Sequence, residues 1–314
     1  MQSEFRDFHE FLELPPPREG IEAILGPTCV GKTSLSLSRA ESIDAEIISA
    51  DSRQIYREMS IGTAKPTADE LARVPHHFIN DRSLNEPITA AEFAREAKDR
   101  IDRILARGKR VLIVGGSTLY IHALLFGLDD VPATDPAVRR QLSSRLESEG
   151  FEPLQVELER VDPVSVRRID MKNPRRVLRA LEVYHTTGRP ISDFLKHDLS
   201  DDRSGTIDHR PSTIDHPVFV LYRPRDELYA RINSRVDAMY EAGLIEEVEA
   251  IKEAGLSPAL QALQTIGYRE TFEYLDGSVS YDKMVGLVKR NTRRYAKRQL
   301  TWFSRYRSFD WVSA

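Results

Sequence analysis

Hydrophobic positions in the first half of the chain form short runs that are apolar almost throughout. These runs, which predict buried strands, occupy Ile21–Leu25, Ala45–Ala50, 110–116 and, after a long interval, 218–223. Between them, residues 88–108 space their apolar residues as amphipathic helices do, and a further helix is expected at 32–40, directly after the first strand and its loop. Strands that are apolar on both faces and alternate with helices predict an α/β fold, with a parallel sheet covered by helices on both sides.

The pattern changes after residue 127. Residues 128–211 are charged and helix-forming, with prolines where helices would begin and no run as strand-like as the earlier ones. We therefore expect an all-helical domain at 128–211, inserted into a catalytic core of residues 21–127 plus 212–314. The polar loop 205–217 repeats the sequence TIDH at 206–209 and 213–216; its Asp and His side chains could bind a metal, and its role stays open.

Composition narrows the class of protein. The 314 residues are 40% hydrophobic and 30% charged, which is typical of a globular chain that can bury a core. No apolar run is long enough to span a bilayer, and the acidic N-terminus has no signal-like segment, so we expect a cytoplasmic protein without membrane or protein partners. The single cysteine, Cys29, excludes an intrachain disulfide, and we interpret it as a tolerated small residue rather than a nucleophile.

A glycine-rich loop follows the first predicted strand. Gly26, Gly31, Lys32 and Thr33 fit the spacing G-x-x-x-x-G-K-T. Such a loop points consecutive backbone N–H groups and a helix N-terminus at phosphate oxygens, while its lysine contacts them and Thr33 or Ser34 reaches Mg²⁺. The loop predicts a phosphate site but does not tell whether the ligand is a nucleotide.

Asp51 follows the second strand, at the sheet edge where open parallel sheets bind ligands. It could be an outer-sphere Mg²⁺ ligand, a general base that takes a proton from a nucleophile, or a solvated carboxylate at a strand end. Gln54 and Tyr56, just beyond it, are candidates for amide and stacking contacts with a nucleic-acid base.

The third strand ends in the residues GGST at 115–118, with no carboxylate. Many phosphate-loop hydrolases carry an acidic metal ligand at such a strand end, so its absence here disfavours ATP hydrolysis. The turn at 115–118 instead predicts a second group of backbone N–H and hydroxyl donors, or a plain strand-to-helix connection.

Basic residues concentrate near the C-terminus although the net charge is −4. Residues 289–309 contain eight Lys and Arg and no acidic residue of their own. On a helix, the pairs 289/290, 293/294 and 297/298 form a continuous basic stripe, interleaved with aromatic residues. We favour a nucleic-acid surface over a solvated charged face, with log K falling against log salt at a slope of about −3 if about four residues contact phosphates.

Two further groups could serve a site. Arginines 223, 225, 231 and 235 could bind a charged substrate, and Arg231 and Arg235 share a helix face. His76 and His77 are adjacent in an extended segment, where neighbouring side chains point in opposite directions, so we expect structural or substrate-facing roles rather than metal binding.

Seven ordered motifs resemble the bacterial tRNA dimethylallyltransferases. In sequence order they are GPTCVGKT, IISADSRQIYREMSIGTAKP, VPHH, VGGSTLY, NPRRVLRALEVYHTTGRPIS, LQTIGYRE and YAKRQLTWF, and they cover nearly the whole of residues 21–311. The family transfers the dimethylallyl group of dimethylallyl diphosphate to N6 of the adenosine 3′ to the anticodon, in tRNAs that read codons beginning with U. The resemblance implies a P-loop NTPase-like core, a diphosphate rather than ATP in the glycine loop, and an insertion that contacts the anticodon stem-loop.

The resemblance also implies roles for single residues. Asp51 would be the general base and Ser117, where the family commonly has threonine, a catalytic hydroxyl. The implied diphosphate ligands, with Mg²⁺ near Thr33, are Gly26, Thr28, Gly31, Lys32, Thr33, Ser34, Arg225 and Arg231. The implied tRNA contacts are Asp51, Gln54, Gln264, Gly267, Arg290, Arg294, Lys297 and Arg298.

Three other functions remain to be tested against this one. A phosphate-loop kinase or ATPase would transfer or release a nucleotide phosphate. A transferase acting on free adenine nucleotide would not need the basic stripe. An RNA-binding protein without activity would have no use for an intact phosphate loop followed by Asp51.

Overall fold

The structure, a computed structural model, describes residues 6–195 and 216–314. Six strands form one sheet in which every neighbouring pair is parallel. They are β1 (Ile21–Leu25), β2 (Ala45–Ala50), β3 (His76–His77), β4 (Arg110–Gly115), β5 (Val218–Tyr222) and β6 (Asp310–Ser313). Their order across the sheet is β3-β2-β4-β1-β5-β6. With the glycine loop directly after a central strand, this is the expected P-loop NTPase-like fold.

Helices cover both faces of the sheet. Those that belong with it are α1 (Phe8–Leu12), α2 (Lys32–Ile43), α3 (Ala68–Arg73), α4 (Ala90–Ala106) and α5 (Thr118–Phe126) before the insertion, with α10 (Arg225–Glu241), α11 (Leu244–Glu253), α12 (Tyr268–Leu275) and α13 (Tyr281–Phe303) after it. Residues 6–127 and 216–314 form one compact unit, and 128–195 form a second.

Alternating side chains of β1 explain why the strands are apolar throughout. Ile21, Ala23 and Leu25 join the core on one face of the sheet, whereas Ile24 joins the core on the other. Glu22, which also points away from the first core, is 1% exposed and forms an ion pair with Arg39 of α2 at 2.8 Å. Both faces are therefore buried, and the charged residue among the apolar ones is neutralised by a partner.

The second unit is helical in the part that the structure describes. It contains α6 (Pro136–Glu149), α7 (Glu152–Val161), α8 (Pro163–Arg168), α9 (Pro174–Thr187) and a short 3₁₀ turn at Ile191–Asp193. Proline stands in the first turn of each of the four α-helices, where its missing N–H has no intrahelical partner to lose. Leucines such as Leu142, Leu154 and Leu158 form its core.

Sequence patterns located the four longest buried strands but not the sheet edges. The strands β3 and β6 have two and four residues and pair only at the two ends of the sheet. The helix expected at 32–40 continues to Ile43, and the one expected within 88–108 is α4. Residues 205–215 of the TIDH loop lie outside the described residues. No helix in the described ranges is long and apolar enough to cross a membrane.

Candidate active site

Strand register brings three loops together at the carboxyl edge of the sheet. Gly115, the last residue of β4, lies beside Leu25 of β1 on one side and Ala50 of β2 on the other. The residues that follow these strands are Gly26, Asp51 and Gly116. The glycine loop, the acidic loop and the second glycine turn, which the sequence spreads over 90 residues, are therefore adjacent.

The glycine loop has the backbone of a phosphate-binding turn. Gly26 and Gly31 have φ angles of 154° and 116°, and Cys29 lies in the left-handed region at 65° although it is not glycine. Left-handed backbone at a non-glycine residue costs about 1–3 kcal/mol and persists only where the surroundings hold it. Contacts from outside the loop should therefore fix it.

Three side chains from distant segments supply those contacts. The Thr28 N–H donates to Gln299 Oε1 of α13 at 2.9 Å, and Arg231 Nε of α10 donates to the Cys29 carbonyl at 2.9 Å. Arg223 Nε, directly after β5, donates to the carbonyl of Val30 at 3.4 Å. Three successive residues of the loop are thus held by side chains that the sequence places nearly 200 or more residues away.

Lys32 lies within this loop. Its ammonium donates to the carbonyls of Gly26 and Pro27 at 2.9 and 2.8 Å. Burial lowers the pKa of Lys32 to about 8, against the opposing attraction of Asp51. A bound anion would stabilise the protonated, charged form of this amine. The buried amine is therefore suited to bind a highly charged anion.

A cavity of about 710 Å³ opens beside the loop. It is lined by expected phosphate ligands, by residues of the loop that begins at Asp51, and by residues of α10 and α13. Expected residues on its wall are Thr28, Gly31, Lys32, Thr33, Ser34, Asp51, Gln54 and Arg231, while Cys29, Gly116, Arg235, Tyr295 and Gln299 are further ones. One polar and cationic compartment therefore holds most of the predicted diphosphate site.

A second cavity of about 220 Å³ has wall residues in common with the first. Asp51, Arg235 and Tyr295 line both cavities. Its remaining wall includes apolar side chains, namely Ile232, Val236, Met239, Ile266 and Val288, together with Ser117 and Gly267. The carboxylate of Asp51 thus lies where a cationic compartment meets a more apolar one.

Hydrogen bonds fix Asp51 and Ser117. Asp51 Oδ1 accepts the N–H groups of Arg53 at 2.9 Å and Gln54 at 3.3 Å, while Oδ2 has no hydrogen-bond partner within the described ranges. Ser117 Oγ accepts the N–H of Ser52 at 2.9 Å and lies 3.2 Å from its hydroxyl. One carboxylate oxygen is therefore anchored and the other is left for a ligand.

From the sequence, Tyr295 was expected only as a packing or base-stacking residue of the basic segment, and Gln299 was given no role. They are four residues apart on α13 and so share a helix face that lines the cavity. Burial, reinforced by the nearby Asp51 carboxylate, raises the pKa of Tyr295 to about 12, so its hydroxyl stays protonated. Their non-basic character within the basic segment, at helical spacing, is the signal that could have revealed them.

Two expected contacts differ in the structure. Arg225 begins α10, is exposed and places its guanidinium 5.0 Å from the ring centre of Tyr229; it does not line the cavity, whereas Arg223 and Arg235 lie at the loop. Tyr56 is 4% exposed within the hydrophobic core, so it is not available to stack on a base.

Three more expected tRNA contacts, Gln54, Gln264 and Gly267, have the following positions in the structure. Gln54 Nε2 donates to the carbonyls of Thr63 and Ala64, which fixes the opposite cavity wall. Gln264 is exposed and donates to the carbonyl of Pro258. Gly267 precedes α12, where its N–H donates to a glutamate of the first helical turn. Gly267 borders the second cavity, whereas Gln264 does not.

Only part of the basic segment faces solvent. The residues of the basic stripe that are exposed on α13 are Arg290, Arg294, Lys297 and Arg298. Lys289 forms an ion pair with Asp237 of α10 at 2.6 Å, and Arg293 donates to Asn233. The segment supplies no acid of its own, but a neighbouring helix does, so Lys289 is a packing contact rather than a free cation.

Both histidines of the pair have polar partners within the fold, and His76 also lines a small cavity with Lys32 and Asp51. His76 Nδ1 lies 2.7 Å from the Val74 carbonyl, and burial lowers its pKa. His77 Nε2 lies 2.7 Å from a carboxylate oxygen of Glu46. Across the described ranges, no group of three or more His, Cys, Asp or Glu side chains is arranged to hold a metal.

Comparison with known proteins gives a consistent result. The family model described as IPP transferase matches residues 54–306. A tRNA dimethylallyltransferase of Salinibacter ruber is 49% identical over 307 residues, covering 97% of this chain and 91% of that protein. A tRNA dimethylallyltransferase 1 of Trichlorobacter lovleyi is 46% identical over 291 residues and covers 92% of both chains.

Solved structures agree. The full-length tRNA isopentenylpyrophosphate transferase of Bacillus halodurans superposes with a TM-score of 0.65 at 38% identity, covering 93% of this chain and 89% of that one. A eukaryotic dimethylallyltransferase captured acting on tRNA gives a TM-score of 0.72 at 28% identity, over 90% of this chain and 69% of that one. The sequence match and the shared fold establish that this chain belongs to the IPP transferase family.

Proposed function

We propose that this protein transfers the dimethylallyl group from dimethylallyl diphosphate to N6 of the adenosine 3′ to the anticodon in tRNAs that read codons beginning with U, releasing diphosphate without consuming ATP. One observation carries the proposal: the glycine loop and Asp51 line one cavity, while β4 is followed by Gly116 and Ser117 rather than by a carboxylate. That combination suits an allylic diphosphate that meets a base-assisted nucleophile.

Departure of the diphosphate is assisted by groups fixed before the reaction. Residues of the glycine loop, Lys32 and the arginines Arg231 and Arg235 line the larger cavity. As the bond between the allylic carbon and its oxygen breaks, negative charge grows on the diphosphate, and preorganised donors stabilise that charge. Burial of Lys32 strengthens its attraction for the leaving group, whereas the exposed Arg231 contributes less.

Asp51 acts on the nucleophile. The exocyclic amine of adenine is weakly nucleophilic, since its lone pair is delocalised into the ring. As N6 bonds to the allylic carbon, Asp51 Oδ2 accepts the N6 proton, and the electron pair of the breaking bond leaves with the diphosphate. Ser117, which also lines the smaller cavity, is proposed as the catalytic hydroxyl at this junction.

A divalent ion fits the leaving-group end. Thr33 lines the larger cavity, and its hydroxyl oxygen would hold Mg²⁺, which usually keeps several waters and binds substrate phosphates. Bound Mg²⁺ would neutralise charge on the diphosphate.

The tRNA is proposed to bind through the basic stripe, with Gln54, Gln264 and Gly267 as further contacts and residues 128–211 as the part that closes on the anticodon stem. The target adenosine must leave the stacked loop to reach Asp51, and unstacking an unpaired base requires less free energy than opening a duplex. With tRNA as its substrate, the protein is proposed to act in the cytoplasm.

Transfer of label tests the proposal. Radioactive dimethylallyl diphosphate is incubated with enzyme, Mg²⁺ and no ATP, beside three acceptors: unmodified tRNA, the same tRNA with the adenosine 3′ to the anticodon replaced, and AMP. We expect label on the unmodified tRNA alone. Label on AMP would move the protein to the free-nucleotide transferases, and ATP turnover without prenyl transfer would support a kinase or ATPase.

A further inference from the structure

We propose that Gln299 is a positioning residue for the diphosphate site, acting through the backbone of the glycine loop. The inference rests on the proposed function for the identity of the ligand, but its geometry is independent of the reaction. Gln299 is 3% exposed and lies on α13, 271 residues after the loop residue that it contacts. Its side-chain amide joins the two glycine turns at the edge of the sheet.

Both ends of the amide are used by backbone. Gln299 Oε1 accepts the Thr28 N–H at 2.9 Å, and Nε2 donates to the Gly116 carbonyl at 2.7 Å. The opposite orientation would place NH₂ against an N–H and a carbonyl against a carbonyl, so the two partners define the amide orientation. A side chain with one acceptor and one donor at this spacing is required, and glutamine provides it.

Gly116 leaves room for the Gln299 amide because it has no side chain. A Cβ on Gly116 would lie 2.5 Å from Gln299 Nε2 and 3.0 Å from the Gly26 carbonyl. The absence of a side chain at Gly116 therefore lets the amide, the second glycine turn and the start of the phosphate loop meet. This gives Gly116 a steric role that does not depend on its φ angle.

The contact determines which loop N–H groups remain for a ligand. Pro27 has no N–H, and the Thr28 N–H is taken by Gln299, so the donors left to face an anion begin at Cys29. Cys29 is the residue held in the left-handed conformation. By fixing the residue just before it, Gln299 holds the remaining donors in the geometry that an anion requires.

The test compares three variants. Gln299→Ala removes the amide, and Gln299→Glu keeps the acceptor for Thr28 but puts a carboxylate oxygen against the Gly116 carbonyl. Tyr240→Phe is the matched control, because it removes a buried hydroxyl that bonds Thr271 at 3.2 Å and does not line either cavity. The measurements are calorimetric binding of inorganic diphosphate, filter binding of tRNA, and thermal unfolding.

We expect both Gln299 variants to weaken diphosphate binding about 10-fold or more, while tRNA affinity changes less than about twofold. Gln299→Ala leaves the Thr28 N–H and the Gly116 carbonyl without partners, whereas Gln299→Glu takes the donor only from the Gly116 carbonyl and places a carboxylate oxygen against it. Tyr240→Phe should lower the unfolding temperature and leave diphosphate binding unchanged. Gln299→Glu adds a distinctive readout: a protonated carboxyl can donate to Gly116, so its defect relative to wild type should shrink as pH falls.

Folded Gln299 variants that bind diphosphate as wild type does would overturn the inference. So would an equal loss of tRNA and diphosphate binding, or a Gln299→Glu defect that is independent of pH, since these indicate general disruption. Because Gln299→Glu preserves size, it decides the matter if the alanine variant does not fold. A wild-type protein that binds diphosphate but prenylates no tRNA would refute the proposed function and leave this inference standing.

Discussion

Arg231 and Arg225 offer a sharp comparison, because both are exposed arginines on α10 and only one reaches the glycine loop. Arg231 Nε donates to the Cys29 carbonyl at 2.9 Å, and its side chain lines the larger cavity. Arg225 lies over the ring of Tyr229 instead. Replacing either arginine with alanine removes one positive charge from α10. Any difference in kcat/KM between the two variants is therefore due to the position of the arginine.

The expected size of the effect follows from the contact. Hydrogen bonds to charged groups contribute about 1.5–3 kcal/mol, and the exposure of Arg231 favours the lower end, which corresponds to about a 10-fold loss of kcat/KM. Arg225→Ala should leave kcat/KM within about twofold and lower stability by about 0.5–1 kcal/mol through the lost cation–π contact.

Initial rates of prenyl transfer, with dimethylallyl diphosphate varied at saturating tRNA, measure this difference. Urea unfolding of both variants separates a stability change from a kinetic one. Equal kinetic losses in the two variants, or a larger loss for Arg225→Ala, would refute the assignment of the diphosphate site to the arginines that contact the loop.

Three more predictions concern charge. Lys297→Ala should weaken tRNA binding and reduce the slope of log K against log salt by about 0.7–0.9, as measured by filter binding across a salt series, without slowing transfer from bound substrate. Because the pKa of Lys32 is lowered to about 8, the ligand-free amine loses its charge above that pH. Calorimetric affinity for diphosphate should then fall as pH rises, by up to about tenfold per pH unit, whereas Lys32→Arg should show a flat profile. Arg39→Ala should lower the free energy of unfolding in urea by about 3–5 kcal/mol, since it leaves Glu22 buried without its ion-pair partner. Arg73→Ala, which breaks an exposed pair, should change it by less than about 1 kcal/mol and serves as the control.

Local sequence patterns were sufficient for the features that local physics determines. The glycine spacing defines the loop after β1, and an apolar run ending at Asp51 places that carboxylate at the binding edge of a parallel sheet. The helical insertion was also expected from its composition. These features depend on neighbours within a few residues along the chain, so local patterns can predict them.

Contacts between segments that are distant in the sequence could not be predicted from local patterns. Arg223 and Arg225 are two residues apart, yet Pro224 lies between them, Arg225 is the first residue of α10, and only Arg223 contacts the loop. Gln299 was hidden within a segment interpreted as basic and packing, because its partners Thr28 and Gly116 adjoin it only in the folded chain. The same holds for the edge strands, whose pairing is entirely non-local.

The most direct test of the central claim is mass spectrometry of nucleosides from tRNA incubated with dimethylallyl diphosphate and either the wild-type protein or Asp51→Asn. We expect N6-dimethylallyladenosine at the position 3′ to the anticodon with wild type. With Asp51→Asn it should fall by about 10²–10⁴-fold in rate while tRNA binding is retained. Wild-type tRNA without the modified nucleoside, or full activity in Asp51→Asn, would contradict the account.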